Sequence, residues 1–244
     1  MARKSDRLPI SKSRQFILSD NTQFAIKEAY KAARTNLVFS LAENDAKIVV
    51  ITSCSPSEGK STNCLNMAIT MAETGAKVLL IDCDMRKPVQ HQLLRLDNKV
   101  GLSSVLGGIV KDVSKAIERN VRINLDVLTA GSIPPNPAEL ISGARMDDLL
   151  QLVGKHYDYV FIDTPPANVV TDAFLLNNRI AGIIFVVKEG HTRHEDIREC
   201  LTKAKMTNGR VLGFIRANCS AKGTKGGYKS YKYKYKNYKY ESYS

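Results

Sequence analysis

Short unbroken apolar runs alternate with longer stretches of helical periodicity along this chain. Ile48 to Ile51 is entirely apolar and reads as a buried strand. Asn63 to Glu73 follows, with Leu65, Met67, Ala68, Met71 and Ala72 at helical spacing. The same alternation recurs. Val78 to Arg86 opens as a buried strand, Leu125 to Thr129 is a further strand candidate, and Tyr157 to Asp163 is another. Ile183 to Val187 and Val211 to Ile215 complete the set of strands. Helices are predicted over Thr22 to Leu41, Ala138 to Val153 and His194 to Lys205, and Lys99 to Asn120 reads as a short helical region with turns. Strands alternating with helices predict an α/β fold, a doubly wound, mostly parallel sheet.

The pattern stops at Ala221. Lys222 to Gly227 has the composition of a flexible linker. Seven of the chain's ten tyrosines then follow: Tyr228, Tyr231, Tyr233, Tyr235, Tyr238, Tyr240 and Tyr243, interleaved with lysines. This segment has no aliphatic residue and is expected to be a disordered C-terminal tail. The expected organisation is therefore a basic mobile arm over 1–20, one folded unit over 21–221 and the tail over 222–244.

Charge sharpens that division. The chain carries +12 over 244 residues. The tail holds seven Lys and one Glu (+6) and residues 1–14 hold +4, which leaves only +2 for the body. Basic ends meet solvent, anionic lipid, nucleic acid or acidic partners. The five cysteines show no Cys-x-x-Cys spacing, which points to free thiols in a reducing cytoplasm. No apolar run approaches the ~18 residues of a membrane span.

The chemistry concentrates between the first strand and its helix, in Ser53-Cys54-Ser55-Pro56-Ser57-Glu58-Gly59-Lys60-Ser61-Thr62. A tight loop ending in Gly-Lys-Ser and opening a helix is the context of a phosphate-binding loop. Backbone N–H groups of the loop Ser55 to Thr62, Pro56 excepted, would cradle phosphates, Lys60 adds a full positive charge, and the Ser61 hydroxyl can ligate magnesium. Cys54 stands where such loops usually place their first glycine. Asp82 and Asp84 end the second buried strand, and alternation along an extended chain puts them on one side. Asp163 ends the strand before Thr164-Pro165-Pro166, in the form of a second acidic motif that holds the metal directly or through water. Asn218, just past the last strand, either reads an adenine edge or forms a turn. Glu28, Lys31 and Arg34 recur every three residues along the first helix, a stripe that by itself reads as salt-bridged surface.

Together these segments resemble the cytoplasmic bacterial tyrosine kinases of capsule and exopolysaccharide assembly, from about Asn21 to the tail. Leu80-Ile81-Asp82-Cys83-Asp84-Met85-Arg86-Lys87-Pro88, Phe161-Ile162-Asp163-Thr164-Pro165-Pro166 and the tyrosine cluster carry the likeness beside the phosphate loop. Gly101 to Leu106 and Asn136 to Leu140 also match. The resemblance implies a fold of the P-loop NTPase type, with ATP and Mg2+ as cofactors and autophosphorylation of the tail tyrosines in trans. It places Lys60, Asp82, Asp84 and Arg86 in the catalytic set, with Asp82 on the acceptor side, and assigns Ser61, Asp84 and Asp163 to the metal. It also implies a ring-shaped homo-oligomer docked through Glu28, Lys31 and Arg34. Lys31 stands where the family motif has arginine, which weakens any bidentate contact there. Further implied partners are a separate membrane adaptor of the polysaccharide chain-length-regulator type, a cognate tyrosine phosphatase and other protein substrates. The expected location is cytoplasmic, with recruitment to the inner face of the membrane by a partner.

Two other classes share some of these features. A partition- or division-type ATPase of the same fold carries a signature lysine early in the loop, where this chain has Ser55. A nucleic-acid module would bind through the Lys-Tyr tail with steep salt dependence and no need of ATP. A tail whose only aromatic residue is Tyr favours use of the hydroxyl, so nucleic acid is not the expected partner.

Overall fold

The computed structural model describes residues 13–42 and 47–219. The readings made on residues 1–12 and on the tail, including all seven clustered tyrosines, lie outside the described residues.

The first helix, α1 (Phe24–Ser40), leads to β1 (Ile48–Ser53) and then α2 (Lys60–Ala72). β2 (Val78–Asp82) is followed by two short helices, α3 (Gln90–Leu94) and α4 (Leu102–Leu106). β3 (Ile117–Arg122) and β4 (Leu125–Leu128) form a hairpin before α5 (Pro137–Ser142), α6 (Ala144–His156) and β5 (Tyr159–Asp163). β6 (Gly182–Lys188), α7 (His194–Met206) and β7 (Val211–Ala217) close the fold. The seven strands lie in the order β3-β4-β2-β5-β1-β6-β7, all parallel except the β3–β4 pair. Parallel neighbours need crossover connections, and the helices that supply them cover both faces.

Alternation along the central strands sorts two cores. Val49, Ile51, Val78, Leu80 and Phe161 face α2, with Leu37 and Leu41 behind it. Ile48, Val50, Leu79, Ile81, Val160 and Ile162 face Met146, Leu149, Leu150 and Val153 of α6. Strands buried on both faces explain why the runs are continuously apolar rather than alternating. α2 lies between the sheet and α1, so nearly every residue of it is buried.

The structure departs from the sequence reading in four places. β3 runs through the region read as helix and turns. Its residues, Ile117-Glu118-Arg119-Asn120-Val121-Arg122, lie at an antiparallel edge and are largely exposed, so no apolar alternation marks them. The helix predicted over Ala138 to Val153 is two, broken at Gly143, whose ψ of 160° is extended. Residues 13–20 do not behave as a mobile arm: Ile17 and Leu18 are buried. Asn66 of α2 holds them, accepting from the Leu18 N–H at 2.9 Å and donating to the Phe16 carbonyl at 2.9 Å. Finally, β2 ends at Asp82, so strand alternation does not govern Asp84.

The five cysteines are free thiols, as expected, and only Cys219 is exposed. No helix among the described residues is long and apolar enough to cross a membrane.

Candidate functional site: a lysine–carboxylate centre at the strand ends

β1, β2 and β5 end side by side, with Ile51 opposite Asp163 and Asp163 opposite Asp82. The β1–α2 loop therefore lies against two carboxylate-bearing strand ends, where open α/β sheets bind their ligands.

The loop is held by its own polar groups. Gly59 sits at φ 89° and takes the left-handed turn that opens α2. Ser57 also has a positive φ, 67°, without being glycine. The Ser53 hydroxyl donates to the Ser55 carbonyl at 2.8 Å. Glu58 is buried and accepts from the Ser55 N–H at 2.9 Å, with its other oxygen taking the Thr192 hydroxyl. Thr192 in turn accepts from the Lys188 N–H at 2.8 Å, and the Lys188 ammonium reaches the Ser57 carbonyl at 3.4 Å. The turn after β6 thus braces the loop, a contact that spans 134 positions and that the sequence reading missed.

A left-handed non-glycine residue costs about 1–2 kcal/mol, partly offset by the greater unfolded-state freedom of glycine. Ser57→Gly is expected to keep or raise stability by up to about 1 kcal/mol. Ser57→Val is expected to lower it by about 1–3 kcal/mol, because a β-branched residue fits that region worst. Urea unfolding with an unchanged m-value distinguishes the two.

Lys60 occupies the centre. Its ammonium lies 2.8 Å from Asp84 Oδ2 and 3.2 Å from Asp163 Oδ1, and donates to the Ser61 hydroxyl at 3.1 Å. Burial disfavours this ammonium, yet Asp163 and Asp84 outweigh it and hold Lys60 above the usual lysine range. Burial raises the Asp163 carboxyl above its ordinary range, with Lys60 and the Ser61 hydroxyl only partly opposing. Burial likewise pushes Asp82 up to about 8, assisted by the neighbouring Asp163 charge.

Asp82 and Asp84 do different things. Both Asp82 oxygens are taken by backbone N–H groups: Asp84 at 3.2 Å on one, Val89 at 3.1 Å and Gln90 at 3.0 Å on the other. Asp82 thereby caps the start of α3 and folds the chain between 82 and 90 back on itself. Asp84 turns to Lys60 and accepts from the Lys87 N–H at 3.0 Å. Arg86 points away from Lys60 into a two-bond pair with Asp172, at 3.0 and 3.2 Å. Asp172 is buried, and this pair fastens the β2–α3 segment to the chain after β5.

Gln90 was also missed. It is fully buried, and its amide donates to Asp163 Oδ2 at 2.9 Å and to the Ser61 carbonyl at 3.0 Å. Among the described residues its own Oε1 is buried with no hydrogen-bond partner.

The rest of the expected set lies apart from this centre. Pro56 is exposed and Thr62 half-buried. Asn218 is exposed, in a left-handed conformation just past β7. On α1, Glu28 pairs with Lys31 at 2.8 Å, while Arg34 donates to the Thr70 carbonyl at 2.6 Å. α1 is itself tied to the loop: the Tyr30 hydroxyl donates to Asn63 Oδ1 at 2.8 Å, and Asn63 donates to the Gly59 carbonyl at 2.9 Å. A cleft of about 600 Å3 lies at the opposite end of the strands near Lys77 and Tyr157, away from all this chemistry.

The residues present fit a magnesium–nucleotide. No three His, Cys, Asp or Glu side chains among the described residues form a ready cage for a metal. Magnesium seldom needs one, since it takes one or two carboxylates and completes its shell with phosphates and water. Ser61, Asp84 and Asp163 supply such a partial set, and the partnerless Oε1 of Gln90 is a further acceptor beside it.

Comparison with known proteins decides the kinship. A family model described as an AAA domain matches residues 46–191. The tyrosine-protein kinase YwqD of Bacillus subtilis is 42% identical over 189 residues, which cover 77% of this chain and 79% of YwqD. The chain belongs to the bacterial tyrosine kinase family. The kinase domain of Escherichia coli tyrosine kinase ETK superposes with a TM-score of 0.77 at 29% identity, over 93% of this chain and 88% of that domain. The cell division ATPase MinD of Pyrococcus furiosus, at 23% identity and a TM-score of 0.60 over 70% of this chain and 71% of its own, shares the fold alone.

Proposed function

We propose that this chain is an ATP-dependent protein-tyrosine kinase that phosphorylates the tyrosines of its own tail, Tyr228 to Tyr243, in trans between subunits. The observation that carries the reading is the Lys60–Asp84–Asp163 centre at the mouth of the phosphate loop, in a chain of this family. Magnesium–ATP, when bound, supplies the phosphoryl group and neutralises charge on the phosphates.

The chain's own residues position and stabilise. The loop presents the backbone N–H groups of Ser57 to Thr62, while Glu58, braced by Thr192, takes the Ser55 N–H and fixes the turn. With nucleotide bound, Lys60 would turn from its carboxylates to the β- and γ-phosphates, and Ser61, Asp84 and Asp163 would hold the metal. Asn218, just past β7, would read the adenine edge through its amide. Asp82, through the Oδ1 that takes only the Asp84 N–H, would orient the tyrosine hydroxyl and accept its proton late, once the 82–90 segment opens to admit it. Burial favours the protonated form of this carboxyl, so the role belongs to its ionised form, which a bound cation would favour. Transfer has a loose transition state, so positioning and charge carry most of the catalysis.

The proposal extends to assembly. A homo-oligomeric ring docks through α1, where Glu28 and Lys31 are partly exposed and Phe24 and Phe39 are each 76% exposed. A separate membrane adaptor of the chain-length-regulator type recruits the kinase to the inner face of the membrane. There it regulates capsule or exopolysaccharide synthesis and export, opposed by a cognate tyrosine phosphatase and acting on other protein substrates as well. Phosphorylation reverses the tail's +6 charge, which expels it from the site and loosens the ring.

Phosphotyrosine mass spectrometry after incubation with Mg–ATP, with and without a candidate adaptor tail, tests the reading. Phosphate on Tyr228 to Tyr243 supports it. ATP hydrolysis with no modified tyrosine, even with the adaptor tail, overturns it in favour of a partition-type ATPase.

A further inference from the structure

We propose that Gln90 is the positioning residue that sets the Asp163 carboxylate for the metal and couples it to the acceptor-side segment 82–90. The inference rests on the magnesium–nucleotide reading of the site and deepens it.

Gln90 touches each element that builds the centre. Its backbone N–H goes to Asp82 on β2, and its side-chain amide goes to Asp163 on β5 and to the Ser61 carbonyl in the first turn of α2. Asp163 meets three groups: the Lys60 ammonium, the Ser61 hydroxyl and the Gln90 amide. Oδ1 faces Lys60, which must depart when phosphates arrive, while Oδ2 faces Gln90, which need not. When Lys60 moves, the amide of Gln90 remains to fix the plane of the carboxylate. Without it, and with the Ser61 hydroxyl turned to the metal, nothing among these groups would fix Asp163 about χ2, a broad torsion for this side chain. A neutral donor suits this task, since it orients the carboxylate without competing with the metal for its charge. The partners of ligating groups are worth about 10–100-fold in metal affinity.

The partnerless Oε1 supports a role beyond packing. A fully buried amide oxygen without a donor is costly in a static core. It lies on the same amide that grips Asp163 and Ser61, and is available to accept from a water in the metal's shell.

The test measures magnesium dependence of ADP binding, apart from catalysis. Thermal shift is followed at fixed ADP while MgCl2 is titrated, and ADP affinity in EDTA is measured by calorimetry. Gln90→Met keeps the shape and loses the donor; Gln90→Glu keeps the shape and puts a second carboxyl against Asp163. Both variants are expected to raise the half-saturating magnesium concentration, Gln90→Met by about 10–100-fold and Gln90→Glu by at least as much, with ADP affinity in EDTA within twofold of wild type. Equal loss with and without magnesium would make Gln90 a packing residue and overturn the proposal. So would wild-type magnesium titration in either folded variant. If one variant does not fold, the other decides. If wild type itself shows no magnesium-dependent binding of ADP, it is the nucleotide reading that fails.

Discussion

Replacing Lys60 with methionine is expected to lower phosphorylation of the tail by at least about 100-fold, the scale on which a single charge-stabilising donor contributes to a transition state. The geometry gives a further consequence. Asp84 and Asp163 are each almost fully buried, and Lys60 is the cation that both of them contact. Removing it leaves two uncompensated carboxylates within one centre, a change that typically costs about 3–5 kcal/mol. The variant should therefore be less stable than wild type in EDTA. Magnesium should restore part of the difference, because the carboxylates then meet a cation of another kind. Denaturant unfolding in EDTA and in magnesium, together with phosphotyrosine yield, separates the two consequences. A variant as stable as wild type in EDTA would show that Lys60 does not neutralise the centre. Retained phosphorylation would remove Lys60 from the catalytic set.

That centre was legible in the sequence to an uneven degree. Lys60, Ser61 and Asp163 announce themselves because strand, loop and helix are contiguous and each change of hydrophobic period is sharp. The parallel sheet is legible for the same reason: β1, β2, β5 and β6 are buried on both faces and hence continuously apolar. Gln90, Asp172 and Thr192 carry no such mark. Each reaches its partner across 73 to 134 positions of chain, through turns whose side chains follow no period. Asn63 and Asn66 did offer a signal. They interrupt the apolar stripe of a helix that is otherwise almost wholly buried, and buried amides need named partners. Those partners proved to be Gly59, Tyr30, Phe16 and Leu18, which bind the phosphate loop and the chain before α1 to one helix. Asp82 shows the opposite case. Its position at a strand end was read correctly, but the strand stops there, and three backbone N–H groups claim its oxygens.

Arg86 offers the sharpest test of what a motif residue does. Its place in the Asp-x-Asp-x-Arg run suggests catalysis, while its two hydrogen bonds to Asp172 suggest that it holds the β2–α3 segment in place. The hydrogen bonds to Asp172 raise the guanidinium above its already high range, and so it stays charged throughout. Arg86→Ala strands the carboxylate of Asp172, which is buried, and is expected to cost about 3 kcal/mol, the lower end for a broken buried pair because the arginine side chain is 38% exposed. Asp172→Ala leaves an arginine that can turn to solvent and is expected to cost less, about 1–2 kcal/mol. The double variant removes the stranded charge, so its loss should fall short of the sum by more than 1 kcal/mol. Additive losses would mean that the pair does not act as a unit. Activity then divides the roles. If Arg86 only positions the segment, Arg86→Ala and Asp172→Ala should lower tail phosphorylation alike, and the double variant should be no worse than the poorer single one. If Arg86→Ala loses activity at least tenfold beyond Asp172→Ala while both remain folded, the guanidinium acts on the phosphates directly, and the contact with Asp172 is the resting place from which it moves.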